Sequence, residues 1–530
     1  GLTIDYFRDY DLNIILHNSQ TNECPIIVET NPTFSNLFGN IERVNDGRGN
    51  WYSDFTNIKA GSILKANGGY LVLNVMHLFE EPGVWKTLKR ILTYNKLEIR
   101  ESPYLLSMAS TSLKPQPIDI YTKVILIGNQ LVYAYLSERE YDFKKMFKVK
   151  ADFDYEINRK NNILNEYAKV IKKLIKQENL KEFDKSAIAH LMEISAIIAG
   201  NQNKLTLRFS KIADIAREAS FWAADDGFDI VSSAHIEKAY QLTRERHGML
   251  EDKVTEMFEN KTLLIDTEGE RIGQINGLAV YNADFYSFGR PTRITSTVSL
   301  GSGSIINVER EAGMSGRHYN KGVLIISGYF KETFGQDQPL SFNANLVFEQ
   351  SYGLVDGDSA SCTEIFALLS TLSGLPIKQS IAVTGSLNQK GDVQPIGGVN
   401  EKIEGFYDIC KLNRLTGDQG VIIPVQNISD LMLREDIIEA VRKKNFHIYP
   451  ISRVEEGIEI LTGVKSGKKT DSGYEEGTVF YLVEKKIKTL FEKSRAVKTN
   501  NNEKEVKRKT AIPKKSKKKS PSIKHRRSNK

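Results

Sequence analysis

The pattern that most constrains this chain is a change of period. From about residue 156 to residue 250 the apolar residues recur only at helical spacing, over 163–177, 186–199, 207–224 and 233–246. On either side of that block, short β-branched runs alternate with helical stretches. Asp184 and Ser232 stand where N-caps belong, and Gly200 and Gly227 where helices stop. A helical block set between two strand-bearing segments predicts three folded parts in the order α/β, helical, α/β, at about 1–155, 156–255 and 262–465.

In the first part the runs Pro25-Ile26-Ile27-Val28, Gly69-Tyr70-Leu71-Val72-Leu73 and Lys123-Val124-Ile125-Leu126-Ile127 are nearly continuous apolar strands. They predict a parallel sheet buried on both faces. In the third part strands are expected at 292–300, 305–308, 322–327 and 380–385. Helices follow after Ser359 and after Val399, then a strand at 420–425, a helix at 428–443 and a strand at 447–451. Residues 466–497 read as a linker followed by one amphipathic helix over 479–494. Residues 498–530 hold too little apolar surface to bury, so disorder is expected there.

The net charge of +7 invites a nucleic-acid partner, but its distribution narrows that idea. Lys504 to Lys530 contain 13 Lys or Arg against Glu505 alone, so a tail of +12 leaves the rest of the chain at −5. Non-specific, salt-dependent attachment of the tail is therefore the nucleic-acid expectation, and with no aromatic residue in it base stacking is not. The three cysteines, Cys24, Cys362 and Cys410, are too few and too scattered for a disulfide framework or a zinc site, which fits a reducing compartment. No apolar run approaches the roughly 18 residues of a membrane span, and the charged N-terminus is unlike a signal peptide. A soluble, cytoplasmic protein with no membrane partner is expected. Its first residue is Gly1, which suggests a fragment or a processed start.

Two residues carry the chemistry. Ser359 precedes Ile365, Leu368, Leu369 and Leu372, which recur at helical spacing, so it lies at a helix N-terminus where unpaired amides could receive an oxyanion. Gly357 permits the tight turn before it. The same serine serves as a plain N-cap, with Glu364 near the capping-box position. Lys402, Phe406 and Ile409 fall at i, i+4 and i+7, which puts the lysine on an apolar face. A buried amine sheds its proton and can accept one from a serine hydroxyl. A lysine whose stem covers Phe406 while its ammonium reaches water fits the same pattern.

The surroundings separate these alternatives. Asp356-Gly357-Asp358-Ser359-Ala360-Ser361, Thr384-Gly385-Ser386, Gln394-Pro395-Ile396-Gly397-Gly398-Val399-Asn400-Glu401-Lys402 and Ile422-Ile423-Pro424-Val425-Gln426-Asn427 resemble the Lon family of proteases, in its LonB-like branch. The match reaches back through 273–278 and Phe288-Gly289-Arg290-Pro291. It implies a Lon-type α/β proteolytic domain over 262–465, with Ser359 as nucleophile and Lys402 as general base. Asp356 and Asp358 fall on acidic positions that hold the lysine ammonium or gate access, and Thr384 on a threonine that orients the lysine. The family's activity implies an endopeptidase for unfolded or damaged proteins, needing no cofactor for peptide hydrolysis and assembled as a hexameric ring. The alternative from another class is a catalytically silent scaffold or nucleic-acid-associated protein with the same fold.

Residues 1–255 resemble the later part of an AAA+ module. Ala66 to Val75 occupies the Walker B strand, Asn129 the sensor 1 position, and Arg208 the sensor 2 position of the helical lid; both are taken as contacts of a vestigial nucleotide site. No Gly-x-x-x-x-Gly-Lys-[Ser/Thr] occurs in the sequence. Asn74-Val75 stand where an ATPase carries an Asp for magnesium and a Glu for water. The expectation is a partial or degenerate AAA+ domain and lid without efficient ATP hydrolysis, with ATP and magnesium entering only if a P-loop lies upstream of Gly1.

Overall fold

The computed structural model describes residues 10–17, 23–45, 49, 51–100, 113–283, 286–471 and 473–510. They form two compact units, Gly1–Phe153 and Asp154–Lys530. Among the described residues no helix is long and apolar enough to cross a membrane.

The first unit is built on three parallel strands, β1 (Ile26–Glu29), β2 (Tyr70–Asn74) and β3 (Lys123–Ile127), adjacent in that order. Its helices include α1 (Phe34–Phe38), α2 (Val84–Tyr94) and α3 (Gln130–Arg139). Strand side chains alternate between faces. Leu71 and Leu73 point into a core with Leu37 of α1 and Val84, Leu88 and Ile91 of α2. Ile26, Val28, Tyr70, Ile125 and Ile127, on the opposite parity, are exposed. The expectation of a sheet buried on both faces is therefore corrected. The apolar runs supply both faces, but the described helices of this unit pack on one.

The second unit opens with four helices, α4 (Asn161–Gln177), α5 (Lys185–Ala199), α6 (Phe209–Asp225) and α7 (Ser233–His247), packed around Leu191, Ile194, Ile212, Ala216 and Ile236. The local signals act as the sequence indicates. The Asp184 carboxylate accepts from Ala187 N, Ser232 forms a capping box with His235, and Gly200 ends α5 at φ 67°. Helix α8 (Met249–Glu259) then leads into the second sheet.

That sheet has seven strands: β4 (Gln274–Ala283), β5 (Tyr286–Leu300), β6 (Ser304–Asn307), β7 (Phe342–Phe348), β8 (Ile381–Val383), β9 (Gly420–Pro424) and β10 (His447–Ile451), in the order β6-β7-β5-β4-β8-β9-β10. The β7–β5 and β5–β4 pairs are antiparallel, whereas β6 runs parallel to β7, and β4, β8, β9 and β10 run parallel to one another. The helices are α9 (Arg317–Phe334), α10 (Ser361–Ser373), α11 (Val399–Asn413), α12 (Glu435–Arg442), α13 (Val454–Thr462) and α14 (Val479–Thr510). Alternation sorts them. Ile381, Val383 and Ile422 face a core with α9, α10, α13 and the start of α14, whereas Ala382, Val421 and Ile423 face one with α11 and α12. Helices thus cover both sides of the parallel half.

Four expectations change here. Residues 322–327 lie inside α9, because Tyr319, Val323, Ile326 and Phe330 are buried at helical spacing and outweigh the β-branched run. The helix expected over 428–443 is a 3₁₀ turn at Val425–Asp430 followed by α12. The expected linker is part of the domain: Lys469–Thr470 pairs with Gly473–Tyr474, and Tyr474 packs on Phe334 and Phe480. Helix α14 runs to Thr510, so 498–510 is helical instead of disordered. Its first turns are anchored by Val479, Val483 and Ile487 in the core, so nucleation is already met and Lys, Arg and Glu propagate the helix. The rest of the expected disordered tail, 511–530, lies outside the described residues.

Candidate active site

Ser359 lies in the turn that feeds α10, two residues before its first helical position. Gly357 takes φ 96°, a conformation glycine adopts without strain. The Asp356 carboxylate accepts from Gly357 N at 2.8 Å and from His318 N and Tyr319 N, both at 3.1 Å, so it caps α9. Those amides hold its pKa down to about 2, with His318 adding to them. A side chain at Gly316 would overlap this carboxylate. The turn is also tied to the end of β8, for Gly385 N donates to Ser359 O at 2.8 Å and Cys362 N to Gly385 O at 3.1 Å. Among the described residues the amides of Asp358, Ser359 and Ala360 have no hydrogen-bond partner, which leaves donors free at the positive end of α10.

Helix α11 brings the amine. Gly289 of β5 and Gly405 of α11 meet backbone to backbone, and a Cβ on either would overlap main-chain atoms of the other element. That contact seats Lys402 under the nucleophile. Its Nζ lies 2.9 Å from Ser359 Oγ and 3.0 Å from Thr384 Oγ1, with the residue 3% exposed. Burial pulls its pKa down to about 8, against the opposing charges of Glu401 and Asp358. Thr384 Oγ1 in turn donates to Ser359 O at 3.3 Å. The bland alternatives do not hold: α10 has no side-chain cap, and the lysine nitrogen is buried instead of reaching water.

Neither acid holds the ammonium in an ion pair. Asp356 is spent on α9, and Asp358 accepts from Ser386 Oγ at 2.8 Å. Asp358 acts on Lys402 only through its charge. Glu364 makes no capping box either. It is fully buried, accepts from Tyr319 Oη at 2.5 Å and Asn307 Nδ2 at 2.9 Å, and burial pushes its pKa up to about 8.

Sequence reasoning passed over Ser386 and Gly405. Ser386 stands inside the Thr384-Gly385-Ser386 motif, but that motif gave it no role of its own; the structure bonds it to Asp358. Gly405 had one, since a glycine inside an amphipathic helix weakens it unless a close approach requires it.

Comparisons with known proteins agree with this architecture. A family model described as LonB-like, AAA domain matches residues 22–154. One described as Archaeal LonB, AAA+ ATPase LID domain matches 182–246, and the Lon protease (S16) C-terminal proteolytic domain matches 352–463. A putative Lon protease homolog of Escherichia coli strain K12 is 33% identical over 433 residues, covering 80% of this chain and 70% of the relative. The chain belongs to the Lon protease family. A second putative Lon protease homolog, from Haemophilus influenzae, is 33% identical over 416 residues, which span 76% of this chain and 66% of that one. An archaeal Lon protease of Archaeoglobus fulgidus is 32% identical over 302 residues, 57% of this chain and 45% of its own length. The chain therefore spans between about half and 70% of these Lon relatives.

The residues that resembled nucleotide contacts are engaged locally. Asn129 caps α3, its side-chain oxygen accepting from Val132 N at 2.9 Å. Arg208, in the other unit, places its guanidinium 5.1 Å from the centre of the Tyr155 ring. Asn74 Oδ1 accepts from Met76 N at 2.9 Å, and Val75 is buried.

Proposed function

We propose that the chain is a serine endopeptidase in which Ser359 is the nucleophile and Lys402 the general base. The observation that carries it is a buried amine, its proton affinity lowered by desolvation, 2.9 Å from a serine hydroxyl at a helix N-terminus. Neutral Lys402 takes the Ser359 proton as Oγ attacks the substrate carbonyl. The free amides of Ser359 and Ala360 are the donors available to the oxyanion. The ammonium formed then protonates the leaving amine, and water, deprotonated by the same lysine, releases the acyl group. Thr384 fixes the direction of Nζ throughout. Asp356 and Asp358 act as supports, holding the turn against α9 and against Ser386.

No cofactor takes part in these steps. At the end of β2 a carboxamide bonded to Met76 N and a buried aliphatic side chain do not fit magnesium or an attacking water, so we assign no ATP hydrolysis to these residues. Unfolded protein is the proposed substrate and a homo-oligomeric ring the proposed assembly, both carried from family membership. Residues 504–530 are proposed to attach to nucleic acid through charge alone.

The test is cleavage of casein without nucleotide. Activity is expected in the native chain, with a loss of roughly 1,000-fold or more in Ser359→Ala and in Lys402→Ala. Cleavage that survives either change removes the dyad.

A further inference from the structure

Helix α11 carries Lys402 on one face and a polar stripe on the other. Asn400, Glu404 and Asp408 follow one another at i, i+4 and i+8, and all three are held from outside the helix. Asp408 pairs with Arg434 at 2.8 and 2.5 Å. Glu404 Oε2 accepts from Arg244 of the lid helix α7 at 3.3 Å. Asn400 Nδ2 donates to Asp430 O at 2.8 Å, and Asn400 Oδ1 accepts from Met432 N at 2.7 Å.

Asp430 is where these holds converge. One carboxylate oxygen accepts from Asn427 Nδ2 at 2.8 Å, and Asn427 grips both the N–H and the carbonyl of Ile396, just ahead of α11. The other oxygen accepts from Asn201 Nδ2 of the lid at 2.8 Å. The lid loop adds Gln202, whose backbone N donates to Ser429 O at 2.9 Å and whose side chain donates to Leu431 O at 2.8 Å. Met432 completes the joint by packing against the lid core. A helix moves as a rod, so a shift of this joint displaces the amine at the opposite face by a similar distance.

We propose that the lid loop at residues 200–203, acting through Asp430, is a positioning element for Lys402. It sets how closely α11 presents the amine to Ser359, so movement of the lid changes the rate of peptide hydrolysis although no lid residue touches substrate. The inference rests on the assignment of Ser359 and Lys402 made above.

The test is a reciprocal swap in the full chain, read with a short fluorogenic peptide. Asn201→Asp sets two carboxylates against each other. Asp430→Asn leaves one of its two carboxamide donors, Asn201 or Asn427, facing another donor, while the Ser429 hydroxyl, 3.4 Å from the oxygen that Asn201 contacts, can turn to accept instead. In the double variant the new amide donates to the new carboxylate and still accepts from Asn427, so the joint closes again. Each single change is expected to lower kcat roughly tenfold with KM within about twofold and to displace the acid limb of the pH profile, and the double to return within about twofold of the native chain. Thermal melts establish that all three fold. Single variants with native kcat and acid limb, or a double no better than the singles, would overturn the proposal. Ser359→Ala keeps the two failures apart: if it still cleaves, the dyad is wrong, whereas an inactive Ser359→Ala beside unaffected joint variants removes only the lid's role.

Discussion

Parallel strands in the two sheets of this chain end in opposite chemistry. After β8, Thr384 meets a desolvated lysine, a serine at a helix start and three unpartnered amides. After β2, the corresponding open end offers Asn74, turned back onto Met76 N, and Val75, buried among carbon. Both are strand ends of the kind where α/β folds place ligands. The difference lies in the side chains and in how each is supported. At the first, the glycine contact between Gly289 and Gly405 and the cap supplied by Asp356 hold the groups in register; at the second, the polar side chain satisfies its own turn. Fold alone therefore assigns neither end a reaction, and the support around each does.

That contrast can be broken. Apart from loss of Ser359 or Lys402 themselves, the largest effect is expected from Gly405→Ala, whose Cβ would overlap the Gly289 carbonyl. Overpacking there is expected to destabilise by about 2 kcal/mol, and the displaced amine to lower peptide turnover roughly 100-fold, measured in variants shown to be folded at the assay temperature. Native turnover in Gly405→Ala would mean that the helix contact does not place Lys402. The smallest effect belongs to the other strand end. Asn74→Ala is expected to leave turnover of a short peptide within about twofold, and magnesium-dependent ATP hydrolysis by this chain that Asn74→Ala abolishes would erase the contrast.

Much of this was legible in the residues. The helical block, its Asp184 and Ser232 caps, and the Gly200 stop were written in local chemistry, and they appear where the pattern puts them. Lys402, Phe406 and Ile409 at helical spacing put the lysine on an apolar face but left open whether its ammonium reaches water, and the structure buries it. What escaped depends on distant partners. Residues 322–327 look like a strand until Tyr319 and Phe330 show the longer period. The first sheet's apolar runs could not tell how many faces would be covered. Asp356 could not be seen as a cap, because the amides it satisfies belong to a helix starting 39 residues earlier, at Arg317. Asp430 joins residues whose nearness only the folded lid creates.

The most direct test is the pH dependence of kcat/KM for a short peptide without nucleotide. Lys402 must be neutral to act, and burial sets its pKa at about 8, so the rate should rise as pH increases through about 8 and level above it. A profile already flat from about pH 6, or one with its midpoint near 6.5 as an ordinary histidine would give, would contradict a buried lysine as the base.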